Sequence, residues 1–422
     1  MNRREVLKIA AAMGCMGTAG RLMAAENKEK IENFIFINLN GGPSQFELFD
    51  AKPGTFNSGP TKHIKTQIKD LYFNSTLSRM VQISSNMVVL RMASPETDHK
   101  RGQYYMQSGG SRPLSELTHP GLCSIIGHYK QKKEDLPPAL VIGSALGSGY
   151  LGMNNSPFII ENLSKTNVLL RGMNPRFSNL DELSNLQRQF NSLSPKKEFS
   201  AVKEQEAVVE KSLKISSNKV FISTLTNRLR RIGSSQNSRY LAGFGPVQPG
   251  GGSPQPAVQL SPSESFKNQC LLAVDLVKIG IPAIQLELSG WDSHTDNFST
   301  QNELSEILDA GVDTLVKQLK AIGLFGKTLI YIAGEFGRTP KINRNEGRDD
   351  YSKIYCAAMI SGQISSGKVF GETSKDGDEI KDAVSVAQAS SAILTSMGID
   401  YKEKVNGVTP LISLNRPELI FK

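Results

Sequence analysis

In the stretch LELSGWDSHTDNF, residues 286–298, Asp292 and His294 stand two positions apart, directly after the chain's single tryptophan, Trp291. A carboxylate and an imidazole at that spacing can share a metal ion or move a proton. A satisfied polar turn after a strand would use the same residues. Three other stretches hold comparable chemistry: Glu335 and Arg338 in GEFGRTP, His99 in PETDHKRG, and Gly41-Gly42-Pro43-Ser44 in GGPSQFE. Each has a plain alternative. Glu335 and Arg338 could pair with each other at the surface, His99 could merely begin a helix, and the glycine loop could be a tight turn instead of a cradle of amides around an anion. His63, His119 and His128 have no such neighbours in the sequence and read as structural.

What these residues can do together depends on the elements that carry them. Apolar runs of strand length begin at Asn33 (NFIFINL), Met87 (MVVLRM), Pro138 (PALVIG), Pro282 (PAIQLELS), Thr328 (TLIYIA) and Ile354 (IYCAAMIS). They alternate with segments of helical period, the pattern of a largely parallel sheet covered on both faces. Ser261-Pro262 with Glu264 predicts a capped helix start and Gly280 its end; Thr300 with Glu303 predicts the next start, and Gly323 its end. Two parallel strands joined by a helix release their following loops on the same sheet edge, the edge where α/β folds bind ligands. GWDSH and GEFGRTP should therefore meet. If the strands at 34–39 and 87–91 run in the same sense, GGPSQFE and PETDHKRG join them. Trp291 is expected to pack as a wall of this site with its N–H on an acceptor, and Asp292 or His294 to reach within about 4 to 6 Å of a Glu335 oxygen, the span a single ion bridges.

Length and composition admit one large domain: 422 residues, 39% hydrophobic and 21% charged, as in a globular chain. Residues 1–25 place Arg3-Arg4 before a short apolar run and a small-residue exit near Ala24-Ala25, which resembles a twin-arginine export signal to the periplasm or beyond. The run from Val6 to Ala19 is broken by Lys8 and falls short of the roughly 20 apolar residues of a spanning helix, so no stable membrane span is expected. Removing the signal takes four basic residues against one acidic, lowering the formal charge from +9 by 3 to +6. The remaining lysines form no stripe interleaved with aromatics, which excludes a nucleic-acid surface and leaves a small anionic substrate compatible. Cys123, Cys270 and Cys356 sit within apolar runs and are expected as buried thiols. Residues 162–243 are helical and polar, without strand signals, and read as an insertion, a cap or lid. Residues 244–262, rich in Gly and Pro, return the chain to the α/β pattern.

NLNGGPSQFELFDAKP, TDHKRGQYYMQSG, GWDSHTDNF, YIAGEFGRTPKIN and EGRDDYSKIYCAAMISGQISSGKVFGET together, in this order, resemble the exported bacterial proteins of domain-of-unknown-function family 1501. That family is similar in fold to the alkaline phosphatase and sulfatase superfamily, whose members hydrolyse phosphate or sulfate esters with metals at the carboxyl edge of the sheet. The resemblance implies an alkaline phosphatase-like, three-layer α/β sandwich with a mostly parallel central sheet and the helical insertion over the carboxyl edge. It also implies departures. The superfamily's Asp-His-Gly corresponds to Glu335-Phe336-Gly337, its helix-opening nucleophile falls near His99, its first-strand aspartate is replaced by Asn40-Gly41-Gly42, and the family's common Arg-Asp-His stands here as Arg348-Asp349-Asp350.

The set that remains is rich in oxygen. Asp292, His294, Glu335, Asp349 and Asp350 suit one divalent cation such as calcium, magnesium or manganese better than paired zinc. On the hydrolase expectation, Arg338 and Ser44 bind the anionic group and His99 acts as nucleophile or general base. On the competing one, a secreted binding or assembly protein keeps the scaffold without turnover.

Overall fold

The computed structural model describes residues 30–114, 117–161, 163, 200–234, 260–405 and 409–410. The expected signal, residues 1–25, lies outside them, as does most of the Gly/Pro-rich stretch.

Eight strands form the main sheet: β1 (Asn33–Asn40), β2 (Met87–Met92), β3 (Ala139–Ile142), β4 (Phe158–Ile160), β5 (Ala283–Ser289), β6 (Thr328–Ala333), β7 (Tyr355–Ile360) and β8 (Lys368–Phe370), in the order β8-β2-β7-β6-β1-β5-β3-β4. β1 lies at the centre, parallel to β5 and β6, with all but its end residues buried, because helices cover both faces and every side chain has a core to enter. Ile35, Ile37 and Leu39 point into one core with α5 (Pro262–Ile279) and α6 (Asn297–Ala321). Phe34 and Phe36 point into the other, with α1 (His99–Gln107), α2 (Leu122–Lys130) and α7 (Val386–Ser396). The result is the three-layer α/β sandwich with a mostly parallel sheet.

One strand reverses. β7 is antiparallel to both β2 and β6, so β2 runs in the same sense as β6 and β1. The carboxyl ends of β1, β2, β5 and β6 thus share an edge, and β7 enters the sheet at that edge: its first residue, Tyr355, pairs with Met92 at the end of β2.

The helix boundaries hold in one case and shift in the other. Ser261 and Glu264 form a reciprocal capping box at the start of α5, which Gly280 closes at φ 109°. α6 begins at Asn297, ahead of the Thr300 predicted from the local signal. The reason is tertiary: Asn297 is buried, its amide donates to the Glu346 carbonyl, and its Oδ1 accepts from Ser293 Oγ at 2.8 Å.

Within 162–243, only residues 163 and 200–234 are described, and they form α3 (Ser200–Ser217) and α4 (Lys219–Ser234). They do not lie over the carboxyl edge as expected of a lid. α4 buries Phe221, Leu225 and Leu229 in the α5–α6 core and stacks Phe221 edge-on against Phe158 of the end strand β4. Asn218, between the two helices, bonds Asp135, which precedes β3 at the opposite edge. An apolar face beside an end strand is covered more favourably than a polar crevice. Cys123, Cys270 and Cys356 are buried free thiols, and burial pushes the Cys123 thiol up to about 12.

A candidate metal centre at the carboxyl edge

The four loops meet. The amides of Gly290 and Trp291 donate to the Asn40 carbonyl at the end of β1, at 3.2 and 3.3 Å. Gly41 adopts φ +119°, and a Cβ there would lie 2.6 Å from the Asp292 amide nitrogen, so only glycine lets the first loop pass this close to the third. Trp291 is fully buried in the α5–α6 core, and its Nε1–H donates to the Leu288 carbonyl at 2.9 Å. It anchors the point from which Asp292 and His294 turn outward, each about half exposed.

His99 opens α1, with Asp98 as its cap. Its Nδ1 lies 2.7 Å from Glu335 Oε1. Glu335 is fully buried and also accepts from the Gly41 amide at 3.1 Å and from Gln103 Nε2 at 2.7 Å. A carboxylate holding three donors can only accept, so the proton on the imidazole sits on Nδ1, and the neutral ring presents its lone pair at Nε2. That Nε2 is buried and has no hydrogen-bond partner among the described residues. It faces Asp292 Oδ2 at 3.6 Å and Asp350 Oδ2 at 3.7 Å, and one potential donor atom from each of the three residues lies within 4.8 Å of the other two. The Glu335 hydrogen bond is the main reason the His99 pKa is raised, with burial opposing it.

Glu335 therefore stands behind His99, and the imidazole ring fills the space between it and Asp292. It orients the His99 ring rather than joining the facing carboxylates. The anion that the glycine loop holds is this carboxylate.

Asp350 reaches the cluster because β7 is antiparallel. The residues before β7 arrive at the carboxyl edge, where Asp350-Tyr351 forms a short antiparallel ladder with Gly337-Arg338, Asp350 opposite Arg338. Gly347 makes the approach possible, since a Cβ there would sit 1.8 Å from the His294 carbonyl oxygen. Asp349 Oδ1 lies 3.0 Å from His294 Nδ1 and accepts from Asn343 Nδ2 at 3.1 Å. The His294 contact leads the causes that hold the Asp349 carboxyl below its usual range.

Arg338 differs most from the sequence expectation. It is fully buried and does not pair with Glu335. Nε donates to the Gly42 carbonyl at 2.7 Å and Nη2 to the Gly41 carbonyl at 2.6 Å and to Asp292 Oδ1 at 2.8 Å. Nη1 donates to the Arg348 carbonyl at 3.2 Å and pairs with Asp350 Oδ1 at 2.9 Å. With Nε and both Nη atoms engaged inside the chain, Arg338 is a clamp on two carboxylates and not a free anion-binding group. Ser44 is also corrected: it is fully buried, and its amide donates to Gln301 Oε1 at 3.0 Å, so it does not line the crevice.

Sequence reasoning missed three supporting residues. Gln103 lies one helical turn after His99, an i,i+4 spacing that signals a shared face. Gln45 holds the Arg338 backbone from both sides, at 2.8 and 3.0 Å. Glu47 pairs with Arg348 at 3.0 Å, both fully buried. No local pattern points to the last two.

The donor set fits one divalent cation. Bonds of about 2.0 to 2.4 Å keep ligand atoms about 3 to 4 Å apart, close to the separations between His99 Nε2 and the two Oδ2 atoms. One imidazole with carboxylates suits manganese, magnesium or zinc-like borderline ions.

The model for the family described as "Protein of unknown function (DUF1501)" matches residues 31–409. No curated protein matches the sequence. Similar solved structures include Ps i-CgsB, at 10% identity over 88% of this chain and 73% of that one, TM-score 0.44. The PsFucS1 sulfatase from Pseudoalteromonas sp. matches at 13% identity over 100% and 77%, TM-score 0.43. A protein in the alkaline phosphatase superfamily from Vibrio parahaemolyticus matches at 10% identity over 94% and 76%, TM-score 0.42. Likenesses this distant carry no information about activity.

Proposed function

The chain belongs to the DUF1501 family, and from that premise and the centre at its sheet edge we propose that it is an exported, divalent-metal-dependent hydrolase of phosphate or sulfate esters. The observation that carries this reading is the buried, unpartnered Nε2 of His99, oriented by Glu335 and facing Asp292 and Asp350. His99, Asp292 and Asp350 hold the cation, which when bound supplies Lewis acidity toward an ester oxygen and lowers the pKa of water. His99 thus serves as a ligand rather than as nucleophile. α1 opens with His99 where a hydroxyl nucleophile would stand, so water attacks the phosphorus or sulfur directly while the bond to the ester oxygen breaks. His294, half exposed beside Asp292, takes the proton from that water and returns it to the departing alkoxide. The Arg3-Arg4 leader supports export. Among the described residues, no helix is long and apolar enough to cross a membrane.

The test uses purified protein with aryl phosphates and aryl sulfates, supplied in turn with manganese, magnesium, calcium and zinc. Hydrolysis should depend on the cation and fall by about 100-fold or more in Asp292→Ala and in His99→Ala. Turnover unaffected by Asp292→Ala would overturn the assignment.

Two observations favour a second reading, a secreted binding or assembly protein. Arg338 is spent within the chain, and no hydroxyl faces the cluster from the start of α1. Stoichiometric metal without turnover of any ester is the result that reading expects.

A further inference from the structure

Asp292 and Asp350 show the same arrangement twice. Their Oδ2 atoms face His99 Nε2, at 3.6 and 3.7 Å. Their Oδ1 atoms face His294 Nε2, at 3.2 and 3.7 Å. Two carboxylates set between two imidazoles offer one nitrogen and two oxygens on each side, a donor set that would suit a divalent cation on either. The two sides differ in one respect. On the Oδ2 side, His99 Nε2 is buried without a hydrogen-bond partner among the described residues. On the Oδ1 side stands Arg338, with Nη2 at 2.8 Å from Asp292 and Nη1 at 2.9 Å from Asp350.

Resting on the metal reading above, we propose that the guanidinium of Arg338 is a built-in replacement for a second cation, so that the centre takes one divalent ion, on the His99 side. Arg338 is permanently charged and fully buried, and three backbone carbonyls, of Gly41, Gly42 and Arg348, fix it in place. A second divalent ion would have to share both Oδ1 atoms with a fixed positive charge at hydrogen-bond range, where repulsion is screened least. The clamp also sets the carboxylates: Asp292 Oδ1 is hydrogen-bonded to Nη2 and Asp350 Oδ1 is ion-paired with Nη1 without a hydrogen bond, and each Oδ2 is turned toward His99. His294 is left as a group beside the site and not a ligand in it.

The inference is tested by titrating metal-stripped protein with manganese alone, followed by calorimetry and by elemental analysis after gel filtration. Wild type should take one ion per chain. His294→Ala should also take one, with affinity within about threefold, whereas His99→Ala should bind about 100-fold more weakly or not at all. Arg338→Met, which removes the charge and keeps much of the volume, should take two. Two ions in wild type, falling to one in His294→Ala, would overturn the inference and leave the metal reading standing. No ion in wild type would overturn both. A folded Arg338→Met that still takes one ion would also overturn it; if that variant does not fold, the wild-type and His294→Ala stoichiometries decide.

Discussion

His99 and Glu335, 236 residues apart in sequence, share a 2.7 Å hydrogen bond between Nδ1 and Oε1, and through it a buried carboxylate fixes which nitrogen of the imidazole faces the cluster. Glu335→Gln should preserve the shape and remove the charge. Cation affinity should fall by about 10- to 100-fold, as for other partners that orient a metal-binding imidazole. Manganese calorimetry reads this directly, and unchanged affinity would show that Glu335 does not tune the ring.

The raised pKa of His99 gives a pH dependence with a definite sign. A folded-state value above the unfolded one, about 6.5, means that the protonated ring stabilises the metal-free fold. That contribution is complete below the unfolded value and is lost as pH rises through the higher folded value. The melting temperature of metal-free wild type minus that of His99→Gln should therefore be largest near pH 5.5 and shrink toward alkaline pH. Cation affinity should move the other way, rising with pH until the ring has lost its proton. A difference that grows with pH would contradict the Glu335 contact.

Gly347→Ala should damage fold and site together. The added Cβ would meet the His294 carbonyl, which is backbone and cannot swing aside. The expected loss is about 1 to 3 kcal/mol of stability, the usual cost of overpacking, with weaker cation binding because the loops of Asp292 and Asp350 are forced apart. Denaturant unfolding and manganese titration on the same variant check both halves.

Arg348 and Glu47 form a fully buried ion pair, with Phe46 4.5 Å from the Arg348 guanidinium. Removing one partner strands the other charge. Glu47→Leu alone should therefore cost about 3 to 5 kcal/mol, and the double variant Glu47→Leu/Arg348→Met should recover much of it. Because the Arg348 carbonyl also accepts from Arg338, cation binding in Glu47→Leu should weaken even where the protein remains folded. An additive double variant would show that the two side chains act independently.

The strands were legible because each is an apolar run cut to strand length, and burial on both faces leaves an unbroken hydrophobic signature. The α5 cap was legible for a similar reason: Ser261, Pro262 and Glu264 satisfy their own backbone within four residues. Convergence of GWDSH and GEFGRTP also followed from sequence, since parallel strands put their exits on one edge; that GGPSQFE and PETDHKRG join them rested on the directions of β1 and β2, which the strand pairing supplies. Three things did not. The reversal of β7, which delivers Asp350, depends on pairing with β2 and β6, and an apolar run carries no direction. The start of α6 at Asn297 depends on Ser293 and Glu346, whose contacts a local cap rule does not see. Arg338 read as an anion-binding group because a guanidinium in a polar loop has that chemistry. Only folding decides which acceptors reach it first, and here the carbonyls of Gly41 and Gly42 and the carboxylates of Asp292 and Asp350 do. Residue type sets what a side chain can bind; long-range packing sets what it does bind, because burial obliges every polar group to find its partner within reach.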